Sequence, residues 1–91
     1  MSSSADPLAA LPNLGPKSAA MLRAAGIHSV EQLRSLGSVR AFAQVRQVDA
    51  RASLNLLWAM EGALTDLSWQ EVARQHRLSL MLALETLGIK P

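Results

Sequence analysis

Gly26, Gly37 and Gly88 each close a run of helix-forming residues, and a capping residue opens most of these runs; no other feature constrains the fold as tightly. Glycine enters the left-handed conformation that ends a helix without steric cost, while a Ser or Asp ahead of a run accepts the first unpaired amides. Asp6-Pro7 caps and starts a short first helix that ends at Leu11-Pro12. The second runs from Pro16 to Ala25, with Gly26 as the left-handed residue and Ile27 folding back on Leu22. Ser29 and Gln32 form a capping box for a short helix through Leu36, which Gly37 stops. Ser38 caps another that turns Val39, Phe42 and Val45 inward, and Asp49 to Ala52 is a connector. Ser53 caps a helix in which Leu54, Leu57, Trp58, Met60 and Leu64 cover so much of the circumference that both sides must be buried. Ser68 and Glu71 make a second capping box for a last helix from Trp69 through Val72, Ala73, Leu80 and Leu84 to Gly88, with Ile89 returning onto Leu84. No stretch sustains two-residue alternation, so no sheet is expected.

The expectation is an all-α, single small domain of five or six short helices, with a flexible N-terminal tail over residues 1–6, the helical domain over 7–91, and the central helix clamped by a long last one. Leu22-Arg23-Ala24-Ala25-Gly26 is echoed by Leu33-Arg34-Ser35-Leu36-Gly37, two helices of the same apolar register rather than a solenoid. With 91 residues, such a chain buries about 60 to 70% of its unfolded surface. Apolar residues are 49% of the chain with one Phe, two Trp and no Tyr, so the core comes from Leu, Ala, Val and Met. The absence of cysteine excludes disulfides, thiolate metal sites and a cysteine nucleophile. No apolar run approaches the roughly 20 residues that span a bilayer, and the first residues lack the basic and apolar regions of a secretory signal. A cytoplasmic location, without membrane association, is the resulting expectation.

Leu11-Pro12-Asn13-Leu14-Gly15-Pro16-Lys17-Ser18 has the layout of a tight hairpin opening into a helix. Gly15 relaxes the backbone at the turn, and Pro16 suits the first helical position. The amides of Gly15, Lys17 and Ser18 are then free, the macrodipole favours an anion, and Lys17 adds a full charge at the mouth. An ordinary helix start has the same punctuation, so both readings stand on local sequence. Between Pro16 and Gln47 five basic residues, Lys17, Arg23, Arg34, Arg40 and Arg46, face Glu31 alone. From Val48 to Thr86 three basic residues face five acidic ones. A basic front half beside an anion site suits a nucleic-acid footprint.

Enzyme chemistry finds little support. His28 and His76 lie on different elements with no metal spacing, and turn or helix-surface roles are expected for them. Glu61, on the apolar central helix, must reach solvent or a partner. Gly62 beside it suggests a close helix crossing. Trp58 and Trp69 have the chemistry of ligand-stacking platforms, but they fall at helical spacing and read first as core anchors. No catalytic residue, metal or cofactor is expected.

The segment Leu11 to Ser18, followed by Met21-Leu22, Gly26-Ile27, Ser29-Val30, Leu33 and Gly37, then Ser53-Leu54-Asn55-Leu56-Leu57-Trp58-Ala59-Met60-Glu61-Gly62-Ala63-Leu64 and Trp69, resembles the C-terminal domain of the TfoX (Sxy) competence-regulator family over about Leu8 to Leu84. The resemblance implies a bacterial, non-enzymatic transcription regulator acting with a cyclic AMP receptor protein at promoters. It also implies an N-terminal domain ahead of this one, whereas this chain starts only ten residues before the hairpin. The front segment is similar to a helix-hairpin-helix or SAM-like motif, which implies contact between hairpin amides and the phosphates of double-stranded DNA through Gly15, Lys17, Ser18 and Arg23. Asn13 stands where that motif has its first glycine; it can adopt the left-handed conformation, but its side chain limits approach of a phosphate. The other class of function is a protein-interaction or homodimerisation module. Arg23, Arg34, Arg40 and Arg46 on the hairpin face would favour DNA; an exposed apolar patch would favour protein.

Overall fold

Punctuation becomes structure in five α-helices, with no strand among the described residues: α1 (Pro16–Ala24), α2 (Val30–Val48), α3 (Leu54–Thr65), α4 (Trp69–Gln75) and α5 (Arg77–Thr86). The structure is a computed structural model that describes residues 8–11 and 13–89. The expected tail over 1–6 and the Asp6-Pro7 helix start lie outside the described residues; Leu8 to Leu11 form a hydrogen-bonded turn, with the Leu11 amide donating to the Leu8 carbonyl at 3.2 Å.

Most stops and caps act as read. Gly26 takes φ 90°, and the Ile27 and Gly26 amides return to the carbonyls of Leu22 and Arg23 in a Schellman ending. Gly88, at φ 75°, ends α5 in the same way, with the Ile89 amide on Leu84. Gly37, at φ 81° and ψ 163°, breaks α2 into two helical stretches that meet at a kink. Ser29 Oγ accepts the Gln32 amide, while the Gln32 side chain reaches back to the His28 amide and the Gly26 carbonyl. Two caps differ. Ser53 precedes α3 without a side-chain cap bond, and Ser38 donates its hydroxyl to Glu61 across the core.

Helix α3 is the centre, with Leu56, Leu57, Trp58, Ala59, Met60, Gly62 and Ala63 buried, packed mainly between α2 and α4. Around it lie Leu8, Leu22, Ile27, Leu33, Phe42, Val72 and Leu84, all fully buried. The expected long last helix is two, because the chain breaks at His76 between α4 and α5. No Gly or Pro marks that break in the sequence. Its physical correlate is tertiary: His76 Nδ1 stands 3.4 Å from Glu61 Oε2 on α3.

Candidate functional site

The hairpin closes through the Leu14 amide, which donates to the Leu11 carbonyl at 3.1 Å, and its left-handed residue is Asn13 at φ 70°. Gly15 is the N-cap of α1 at φ −120° and ψ −175°, extended backbone open to any residue, so the conformational freedom expected of it belongs to Asn13 instead. Open space surrounds the position where a Gly15 Cβ would stand. Pro16 opens α1 as expected, and the first paired amide is that of Ala19, on the Gly15 carbonyl at 2.9 Å. The amides of Gly15, Lys17 and Ser18 have no hydrogen-bond acceptor among the described residues. They form a positive helix end with Lys17 beside it.

The Asn13 side chain turns away from this helix start. Its Nδ2 donates to the Leu67 carbonyl at 2.7 Å and its Oδ1 accepts the Trp69 amide at 3.2 Å, pinning the hairpin to the turn between α3 and α4. The obstruction expected of this side chain is thereby reduced. Gly62 serves the same junction: a Cβ there would lie 2.5 Å from the Leu67 carbonyl oxygen and 2.8 Å from Asn13 Nδ2, so the close approach is to a loop, not to a crossing helix.

Lys17 and Ser18 line a cleft of about 540 Å³ whose other walls include Asn13, Asp49, Arg51, Ser53, Asn55 and Trp69. The α1 start is thus joined by the connector before α3. The Asp49 carboxylate accepts the Arg51 amide at 3.0 Å, and neither the Lys17 ammonium nor the Arg51 guanidinium has an ion-pair partner among the described residues. Two cations therefore face one carboxylate. Trp69, expected as a core anchor, is 44% exposed and lines this cleft, whereas Trp58 is buried as expected. Arg51 and Asn55 are site residues that sequence reasoning missed; a basic residue just ahead of a helix start was the available signal for Arg51.

Of the sequence candidates, Lys17 and Ser18 come together in the cleft, with Gly15 capping the same helix. Arg23 falls in the last turn of α1 and does not line it. Arg40 and Arg46 line a different groove with Leu36, Leu87 and Ile89. Arg46 Nε donates to the Ala52 carbonyl at 2.6 Å and its guanidinium sits 4.7 Å from the Phe42 ring centroid, so packing accounts for it. The basic front half is divided between faces.

A second polar cluster holds the core together. Ser38 Oγ donates to Glu61 Oε1 at 2.6 Å, and Glu61 Oε2 faces His76, linking α2, α3 and the α4–α5 joint. Ser38 is buried, which keeps its hydroxyl from a substrate. Glu61 is partnered, as an acid on an apolar helix must be. No group of three or more His, Asp or Glu able to hold a metal occurs among the described residues. No described helix is long and apolar enough to cross a membrane.

The family model for the TfoX C-terminal domain matches residues 4–84. This chain belongs to the TfoX C-terminal domain family. The match spans the hairpin, the cleft and all of α3 and α4. Two crystal structures of Listeria monocytogenes proteins share the fold of this TfoX C-terminal domain. One, described as a protein of unknown function in a tetragonal form, is 29% identical over 88% of this chain and 99% of its own, with a TM-score of 0.77. The other, an uncharacterized protein in a triclinic form, is 27% identical over 92% of this chain and 97% of its own, also at 0.77. No curated protein matches the chain.

Proposed function

We propose that this TfoX C-terminal domain is a non-enzymatic transcription-regulatory module that contacts the DNA backbone through the cleft at the start of α1. Membership in the family makes it a regulatory-type domain, and the family is not a known enzyme family. The observation that carries the DNA reading is the convergence of Lys17, Ser18 and Arg51 on one cleft, with two cations unpaired among the described residues beside free helix-start amides. Amides and point charges recognise phosphate without reading bases. Promoter selection in the competence role then falls to a sequence-reading partner such as a cyclic AMP receptor protein.

The expected behaviour is weak binding to any duplex, with Kd about 10⁻⁴ to 10⁻⁶ M, falling with salt at a log–log slope near −2 for about two neutralised phosphates. Lys17→Glu nearly abolishes it, because the new carboxylate competes for the same amides, while circular dichroism stays unchanged. A salt titration with labelled duplex reads both. Absence of binding at low salt, or a Lys17→Glu variant that binds as wild type does, removes the cleft as a phosphate site. The protein-contact reading has its own observation: Leu78, Leu82 and Leu87 are exposed on and just after α5.

A further inference from the structure

Trp69 is the wall of the cleft that phosphate contact leaves unused. Tryptophan is among the side chains with the most apolar surface to bury, yet this one lies outside the core and is half in solvent. Its backbone is fixed, because its amide donates to Asn13 Oδ1 at 3.2 Å and Ser68 caps the helix that it opens. The indole is not: its N–H has no acceptor, and no ring or guanidinium stacks on it, among the described residues. The same cleft holds the unpaired Lys17 and Arg51, together with an Asn55 carboxamide that makes no hydrogen bond among the described residues. Its volume of about 540 Å³ falls within the range of about 300–1,000 Å³ common to clefts that take a small ligand. An aromatic face, an amide and two cations thus share one space.

We propose that the cleft takes an unpaired nucleotide of a single strand, its base stacked on Trp69 and its flanking phosphates on Lys17 and Arg51. This rests on the phosphate reading above and adds the base to it. In a duplex each base face is covered by the next pair, so a duplex can use the two cations but not the indole; only a base outside a stack can lie on it. Every base has a π-face, and a single platform therefore favours single strands with little regard to sequence. Asn55 and Asp49, on the same walls, offer hydrogen-bonding groups to the edge of the base. Asp49 also opposes a further anion, which limits the site to the phosphates on either side of one nucleotide.

Titration of the whole chain with an oligothymidylate of about ten nucleotides, and with a duplex and an abasic strand of the same length, tests the platform. The oligothymidylate is expected to bind at least about fivefold tighter than either of the others. Its log–log salt slope is expected at about −1.4, the value for two phosphates of a single strand. Trp69→Ala erases the preference for the strand over the duplex, and Trp69→Phe keeps most of it because the smaller ring still stacks. Circular dichroism checks that both variants fold, and the abasic strand puts the same question to the unaltered protein. Strand binding quenches tryptophan emission in wild type but not in Trp69→Phe, where the buried Trp58 is the remaining emitter. Thymidine monophosphate is expected to compete only at far higher concentration; if it competes as well as the strand, the cleft belongs to free nucleotides and the strand is overturned. Binding of neither strand nor duplex removes the phosphate reading and this proposal with it. Equal affinity for strand, duplex and abasic strand, unmoved by Trp69→Ala, leaves the phosphate reading standing and overturns the stacked base.

Discussion

Asn13 shows how much one side chain settles here. Its left-handed backbone turns the hairpin, its Nδ2 and Oδ1 hold the Leu67 carbonyl and the Trp69 amide, and its carboxamide leaves no room for a side chain at Gly62. Two effects oppose each other at Gly62. Alanine raises helix propensity by about 1 kcal/mol, but its Cβ would stand 2.5 Å from a backbone carbonyl oxygen that cannot rotate aside, and overpacking costs about 1–3 kcal/mol. The clash wins because the obstacle is backbone. Gly62→Ala is therefore expected to lower the urea midpoint of unfolding, and a raised midpoint would show that the loop yields.

At the scale of elements, α4 is the piece least able to stand alone. Seven residues lie below the length at which helices persist in water, so α4 depends on its cap and on Val72, which is buried. Ser68 Oγ accepts the Glu71 amide at 3.2 Å; the Glu71 carboxylate, expected to complete the box, bonds Arg74 and Gln75 instead. Half of the capping box is present. Ser68→Ala is expected to cost about 0.5–2 kcal/mol, read as a lower thermal midpoint with cooperativity retained. An unchanged midpoint would mean that the Asn13 bond to the Trp69 amide suffices to start the helix. The α4–α5 break follows similar logic: it stands beside the Glu61–His76 contact rather than at a residue that disfavours helix.

For the whole molecule, stability rests on one helix buried nearly all round. A domain of this kind has about 0.05–0.15 kcal/mol per residue to lose, and Leu57 is fully buried in the middle of α3. Leu57→Ala is expected to cost about 2–5 kcal/mol, a large share of the total, measured by urea unfolding. A cost below about 1 kcal/mol would mean that the α2 and α4 faces collapse onto the gap. Charge, too, resolves only at this scale. The front half is basic in sequence, yet Lys17 faces the cleft while Arg40 and Arg46 face a groove against Leu87 and Ile89, because Lys17 stands at the start of α1 and the two arginines on α2, whose packing against α5 sets their side.

The sequence alone determined what depends on neighbours within a turn or two. Gly26, Gly37 and Gly88 adopt positive φ, Ser29 and Ser68 accept their amides, Pro16 opens α1, and the apolar spread of α3 leads to its burial. Lys17 and Ser18 at a helix start were legible for the same reason. Tertiary structure decided whatever joins distant segments: the Asn13 contacts with Leu67 and Trp69 across 54 and 56 residues, the exposure of Trp69, the arrival of Arg51 beside Lys17, and the break at His76. Capping and helix propensity are local energies of about 1 kcal/mol that a sequence displays directly, whereas the partners of Asn13, Trp69 and Glu61 are chosen by how whole helices bury α3.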